Sequence, residues 1–223
     1  IDRSIRPLFP KKYFHETQVV ASVLSVDNEN DSDVAAMLAA SAALEISNIP
    51  FKGPIAGVRV GRVDGAFVCN PPLALQENSE LNLFLVGRKI VPGTEGRPYD
   101  VNLVMLEGEL NEVSEEIVVE AITFGLEAMR PVIDLQDRMR QETGKAKRVL
   151  EIPAVDGDLV AKVSELALPG LKEGYGIAQK MERYAMLDQV RKTVVQTLTA
   201  ENASLKPKVL DIIESLERKI LRE

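Results

Sequence analysis

Residues 17–27, TQVVASVLSVD, are rich in β-branched side chains and free of glycine and proline, a pattern that predicts a strand buried on both faces. The polar run NENDSD interrupts it, and Asp31 or Ser32 can cap a helix through DVAAMLAASAALEIS that ends at Asn48 and Pro50. Six alanines, from Ala35 to Ala43, suit that helix to close packing. In GVRVGRVDGAFVCNP the pair Asp64-Gly65 supplies the positive φ angles of a two-residue turn, which predicts a hairpin of strands 57–63 and 66–69. Residues 81–87 and 101–109 predict two further strands that pair, with VPGTEGRPYD as the loop between them. Ser114 caps the next helix, whose first turn carries Glu115 and Glu116 and whose buried face comprises Ile117, Ala121, Ile122, Phe124 and Ala128. Pro131 predicts a kink or break.

Beyond the basic stretch RMRQETGKAKR the pattern changes to helical spacing alone. A short helix over 158–168 is predicted to stop at Pro169-Gly170. A long one over about 176–200 would bury Ile177, Met181, Tyr184, Leu187, Val190, Val194 and Leu198. The last begins near Pro207, with Val209, Ile212, Ile213, Leu216 and Ile220 inward. The expected fold class is therefore α+β over 1–140, a basic linker over 141–156, and a small all-helical bundle over 157–223.

Composition narrows the function. No apolar run is long enough to cross a bilayer and no leader pattern occurs, so no membrane partner and a soluble, unexported protein are expected. Cys69 and His15 are each the only residue of their kind, which removes an internal disulfide and a His/Cys zinc site and fits a reducing cytoplasm. With a net charge of −7, contact with nucleic acid would need a local basic patch. Two exist: Arg3, Arg6, Lys11 and Lys12 at the start, and Arg138, Arg140, Lys145, Lys147 and Arg148 later. A solvated charged face is the default reading of each taken alone. His15 has no nucleophilic partner at a suggestive spacing, the glycines of GVRVGRVDG do not precede a helix, and Glu107, Glu109, Glu112, Glu115 and Glu116 read as a solvated helix entry.

Taken in order, IDRSIRPLFP, VVASVLSVDNENDSDVAAMLAASAALEISNIPFKGPIAGVRVG, LVGR, LNEVSEEIVVEAITFGLEAM and KMERYAMLDQVRK resemble the bacterial polynucleotide phosphorylases over nearly the whole chain. That resemblance implies the later part of a first ribonuclease-PH-like (ribosomal-S5-domain-2-like) core followed by the family's all-helical domain, and hence a piece that starts inside a domain. It further implies phosphate-dependent 3′-to-5′ RNA degradation in the whole protein, reversible to polymerisation, with Mg²⁺ held in a second core. The implied partners are RNA, inorganic phosphate, two further copies in a homotrimer, and RNA degradosome components. The loop KIVPGTEGRPYD, residues 89–100, is longer than the family's counterpart, and Pro131 stands where the family helix continues.

The family's second core carries a serine cluster at the start of its alanine-rich helix and a D-x5-D-x-K pattern running into a strand. Here the first place reads Asn30, Asp31, Ser32, Asp33, and alignment through LFLVGR puts Gln76, Asn82 and Phe84 at the other three. Two carboxylates repel phosphate, amides are poorer Mg²⁺ ligands than carboxylates, and a phenyl ring carries no charge. The resemblance thus implies a degenerate, noncatalytic copy with no catalytic or metal residue of its own. Arg3 and Arg6 are the RNA-facing candidates by position. Arg3 falls on a basic position of the family segment, where contact with RNA and a salt bridge to Asp2 or Asp27 are both open, while Arg6 falls on an apolar position and a structural role is favoured. The competing reading is a standalone noncatalytic structural or RNA-binding module, and a third makes the helical domain a docking site or plug over the core.

Overall fold

The computed structural model describes every residue except Lys12, Glu95, residues 151–155, Glu201 and Glu223. It comprises two compact units, Ile1–Glu151 and Ile152–Glu223.

The first unit is built on one antiparallel sheet. After α1 (Asp2–Ile5) and α2 (Ser32–Ile46) come β1 (Ile55–Val63), β2 (Ala66–Cys69), the single turn α3 (Leu73–Gln76), β3 (Leu81–Ile90) and β4 (Asp100–Leu110), in the spatial order β2-β1-β3-β4. The β1–β2 hairpin closes on Asp64 at φ 50° and Gly65 at φ 78°, the turn read from that dipeptide. Helices α4 (Glu115–Ala128) and α5 (Arg130–Thr143) break at Pro131, which sits in the first turn of α5 where its missing N–H costs nothing.

Strand alternation assigns each side chain to a face. Ala56, Val58, Val60, Leu81, Leu83 and Leu85 pack with Ala121, Met129 and Ile133 from α4 and α5. Their neighbours Ile55 and Val86 join Ile5, Leu8, Met37 and Leu44 from α1, α2 and the turn after α1. Helices thus lie on both sides of the sheet's centre, so the inward positions of β1 and β3 are buried or largely withdrawn from water. Arg59 occupies one of them.

Both ends of α2 are held. Its last carbonyls, those of Leu44 and Glu45, accept bonds of 2.6 and 3.0 Å from Lys147 Nζ, a cation at the negative end of the helix. Lys145 N and Arg148 N donate to the carbonyls of Ile46 and Asn48. Of the stretch read as a basic linker, 141–143 therefore finish α5 and 145–148 lie along the end of α2, while 151–155 fall outside the described residues. Glu45 is buried with Arg140 Nη1 3.1 Å from its carboxylate, and burial pushes that carboxyl up against the opposing pull of Lys147 and Arg140.

Several expectations fail in instructive ways. Residues 17–27 form no strand: Val20, Val23, Leu24 and Val26 are exposed, and no neighbouring strand lies beside them among the described residues. β-branched side chains favour extended backbone, yet only a ladder makes it a strand. Ala35, Ala36 and Ala39 of α2 line a cavity with this segment, and of the six alanines only Ala40 is buried.

The second unit packs α6 (Gly157–Gly176), α7 (Lys180–Thr199) and α8 (Lys206–Ile220) around Val163, Ala167, Leu171, Leu187, Val194, Val209 and Ile213. The predicted stop at Pro169-Gly170 does not occur, because α6 continues through both residues. Packing overrides the local penalty: Gly170 faces Val190, where a Cβ would lie 2.7 Å from Cγ2, and the following turn buries Leu171 against the bundle. Ile177 lies outside α7, and Met181 and Tyr184, assigned to its buried face by spacing, are exposed. The α8 stripe packs inward as read, with Glu217 added to it and paired to Arg191.

Gly108 of β4 lies so close to β3 that a Cβ would stand 2.4 Å from the Asn82 carbonyl oxygen. Gly108→Ala is expected to lower unfolding stability by about 1–3 kcal/mol, the usual cost of overpacking, as read by urea denaturation.

Candidate functional site

The site forms where the N-terminus of α2 meets the α2-facing side of β1 and β3. Asp27 prepares the approach. Its carboxylate accepts bonds from the backbone N–H groups of Glu29 and Asn30 at 2.8 and 2.9 Å and from Asn30 Nδ2 at 2.7 Å. Those backbone bonds to Asn30 and Glu29, in that order, hold the Asp27 carboxyl down to about 2. This turn delivers Asp31 to the N-cap position of α2, but its side chain makes no capping bond there.

Asp31 faces Arg59 instead. One carboxylate oxygen lies 3.3 Å from Arg59 Nε, and Asp33, one residue into α2, pairs with Arg59 Nη2. Arg59 Nη1 donates to Asn82 Oδ1 at 2.8 Å, Asn82 Nδ2 to Gln76 Oε1 at 3.3 Å, and Gln76 Nε2 to Asp31 Oδ2 at 3.2 Å. The four side chains close a ring: Asp31, Gln76, Asn82, Arg59. Gln76 also donates to the Pro71 carbonyl, and the guanidinium carbon sits 5.6 Å from the centre of the Phe84 ring. Sheet register explains the convergence, since Phe84 is paired with Arg59 and Asn82 with Gly61, two residues along the same face.

The three positions aligned with the sister core's acid, acid and amine are thus brought together as one constellation, with an arginine at its centre that sequence reasoning missed. The signal was present: in GVRVGRV the arginine at position 59 lies between valines of a strand covered on both faces, and 16% of its side chain is exposed. A cation placed there must meet anions, because an unpaired charge out of water is far costlier than a paired one. The acidic start of α2 supplies them, where carboxylates also suit the positive end of the helix.

Arg59 and the side chains at positions 76, 82 and 84 offer no group for proton transfer, and the carboxylates of Asp31 and Asp33 are engaged by the guanidinium. Arginine holds its proton, amides neither give nor take one, and a phenyl ring is inert. Whether the donor set fits Mg²⁺ follows from the same geometry. The two carboxylates already face a fixed guanidinium, and the remaining donors are neutral amides, so the residues present do not fit the metal. No group of three or more His, Cys, Asp or Glu side chains gathers in metal-holding geometry among the described residues.

Arg3 borders the same site. A cleft of about 490 Å³ is lined by Arg3, Asp33, Arg59, Asn82, Phe84 and Glu107 among others. The partner of Arg3 is Glu107 of β4, neither Asp2 nor Asp27, and both side chains of that pair are largely exposed. Glu107 accordingly belongs to a strand ion pair and not to a solvated helix entry. Arg6 stands apart, bonded to Asp2 through Nε at 3.1 Å and lining a separate groove with Pro7 and Met105. His15 is exposed beside Tyr13, ring centres 5.3 Å apart. Cys69 is half-buried, and burial raises its thiol. Lys11 is exposed; Lys12 lies outside the described residues.

Two outcomes test the ring. Arg59→Met leaves the carboxylates of Asp31 and Asp33 facing each other without a counterion, and is expected to lower stability by about 1–3 kcal/mol in urea titrations. Adding Asp33→Asn to that variant should recover part of the loss. Secondly, Asp27 is held below its ordinary 3.8, so its contribution is present above that value and disappears as pH falls towards about 2. The thermal midpoint of the parent should therefore drop more steeply between pH 4 and 2 than that of Asp27→Asn.

Comparison with known proteins places both units. Residues 1–50 match the model of the 3′ exoribonuclease family, domain 1, and residues 53–128 that of the 3′ exoribonuclease family, domain 2. Residues 158–223 match the model described as polyribonucleotide nucleotidyltransferase, RNA binding domain. The polyribonucleotide nucleotidyltransferase of Syntrophus aciditrophicus is 61% identical over 223 residues, 100% of this chain and 32% of that protein. Those of Myxococcus xanthus and Geobacter sulfurreducens are 48% identical over 89% of the chain and 40% identical over 100% of it, covering 26% and 30% of their own lengths. With an RNase-PH-type match across the sheet unit and the enzyme's own helical domain across the other, the chain belongs to the polyribonucleotide nucleotidyltransferase family, as a stretch about a third as long as the relatives it matches.

Proposed function

We propose that this chain is the noncatalytic segment of a phosphate-dependent 3′-to-5′ exoribonuclease that degrades RNA to nucleoside diphosphates, and that its role is to build the ring of a homotrimer and guide RNA. The observation that carries the noncatalytic reading is the Arg59 ring: where a working core needs room for phosphate and Mg²⁺, this one holds a guanidinium bound by two carboxylates and an amide. RNA as partner is supported by the helical unit's match to a domain described as RNA-binding and by the relatives' name. Arg3, exposed at the mouth of the cleft and paired with an exposed glutamate, is the residue of the first unit best placed to exchange that partner for an RNA phosphate. Arg6, paired to Asp2 within one helical turn, is assigned a local structural role.

Inorganic phosphate and Mg²⁺ belong, in this reading, to another part of the whole protein, and the setting is the cytoplasm, with degradosome components as further partners. No helix among the described residues is long and apolar enough to cross a membrane. The alternative, a standalone structural or RNA-binding module, shares the closed ring and differs in predicting no phosphorolysis from the complete gene product.

The decisive experiment incubates 3′-labelled RNA with phosphate and Mg²⁺. The complete protein should release nucleoside diphosphates and residues 1–223 should release none. Diphosphate release from the 223 residues alone would overturn the noncatalytic assignment, and inactivity of the complete protein would favour the standalone module.

A further inference from the structure

The helical unit contains two aromatic residues: Tyr175 packs half-buried against the bundle core, whereas Tyr184 takes no part in it. Tyr184, on the second turn of α7, is 54% exposed, and Met181 one turn earlier is 71% exposed. A bundle that wanted these side chains for stability would have turned them inward, since each offers large apolar area to a core.

Cations surround the exposed ring. Lys180 Nζ lies 5.7 Å and Arg183 Cζ 5.8 Å from its centre, both within cation–π reach. Arg183 is anchored, donating through Nη1 to the carbonyls of Ile177 and Ala178 at 3.0 and 3.2 Å. Lys180 is exposed and has no carboxylate partner among the ion pairs of the described residues. Tyr175, half-buried at the end of α6, faces the same region. Burial raises its phenol and Glu217 adds to the effect, while Arg191 and Arg183 oppose it. Arg191 is itself neutralised by Glu217, through bonds of 2.9 and 2.6 Å.

We propose that Tyr184, flanked by Lys180 and Arg183 at the start of α7, is a stacking platform for a base of single-stranded RNA. This rests on the RNA-binding reading of the helical unit and assigns it a surface. A π face accepts any base, so the platform is tolerant of sequence. Lys180, on its flexible stem, moves from the ring to the neighbouring phosphate as the base arrives, and Arg183 keeps the ring's approach positive. Duplex RNA, whose bases are already stacked, gains nothing from such a platform.

The test uses the 223-residue chain and a fluorescein-labelled 20-nucleotide oligoadenylate, with binding read by anisotropy at fixed salt. Tyr184→Ala is expected to raise Kd by about fivefold or more, the lower end of what one stacked base contributes. Tyr184→Phe, which keeps the ring, should stay within about twofold of the parent. Lys180→Gln should lower the slope of log Kd against log salt by about 0.7, one phosphate contact on a single strand. Because Tyr184 is exposed, circular dichroism should show the same helix content in every variant. A parent that binds while Tyr184→Ala binds equally well would overturn the platform and leave the RNA reading intact. Loss of binding in Arg3→Ala with none in Tyr184→Ala would do the same and move the contact to the first unit. A folded parent that binds no oligoadenylate would overturn both.

Discussion

The first unit depends on the covering of one strand from both sides. Because α4 and α5 lie on one face of β1 and α2 on the other, the side chains of its central stretch are largely withdrawn from water, and an arginine in that stretch is satisfied mostly from within. Everything at the candidate site follows. The start of α2 supplies carboxylates, β3 an amide and a ring, and the turn α3 a second amide that joins them. The charge is compensated where it stands, and the same bonds fix α2 against the sheet.

The sheet was legible in the sequence because its signals are local. Asp64-Gly65 sets a turn by backbone angle alone, and the alternation through LNLFLVG and VNLVMLEGE requires no knowledge of the partner strand. The failures come where local preference and tertiary context disagree. Residues 17–27 carry the side chains of a strand and lack the neighbour that would make them one. Pro169 carries a helix-breaking ring, but the next turn buries enough apolar surface against α7 for α6 to run on. Periodicity assigned Met181 and Tyr184 to a buried stripe, whereas a helix in a three-helix bundle needs only part of its apolar positions inside.

The site was legible by half. Alignment with the sister core marked Gln76, Asn82 and Phe84 as positions that had changed chemistry, and the structure brings all three to one place. It could not mark Arg59, since that residue matters through what it touches and not through any motif. Nor could spacing reveal that Glu107, 104 positions from Arg3, is its partner across the cleft. Contacts between distant elements follow from register, and register is set by the folded sheet.

The ring around Arg59 also bears on evolutionary reversibility. Restoring an acid at position 76, an acid at 82 and an amine at 84 would crowd two new anions and a new cation around a guanidinium that already holds two aspartates. An acid at 76 or 82 taken singly adds to a site that already sets two carboxylates against one guanidinium, and an amine at 84 taken singly brings a second cation up against Arg59. The chemistry at these three positions is therefore interdependent, since each side chain is set by the guanidinium they share.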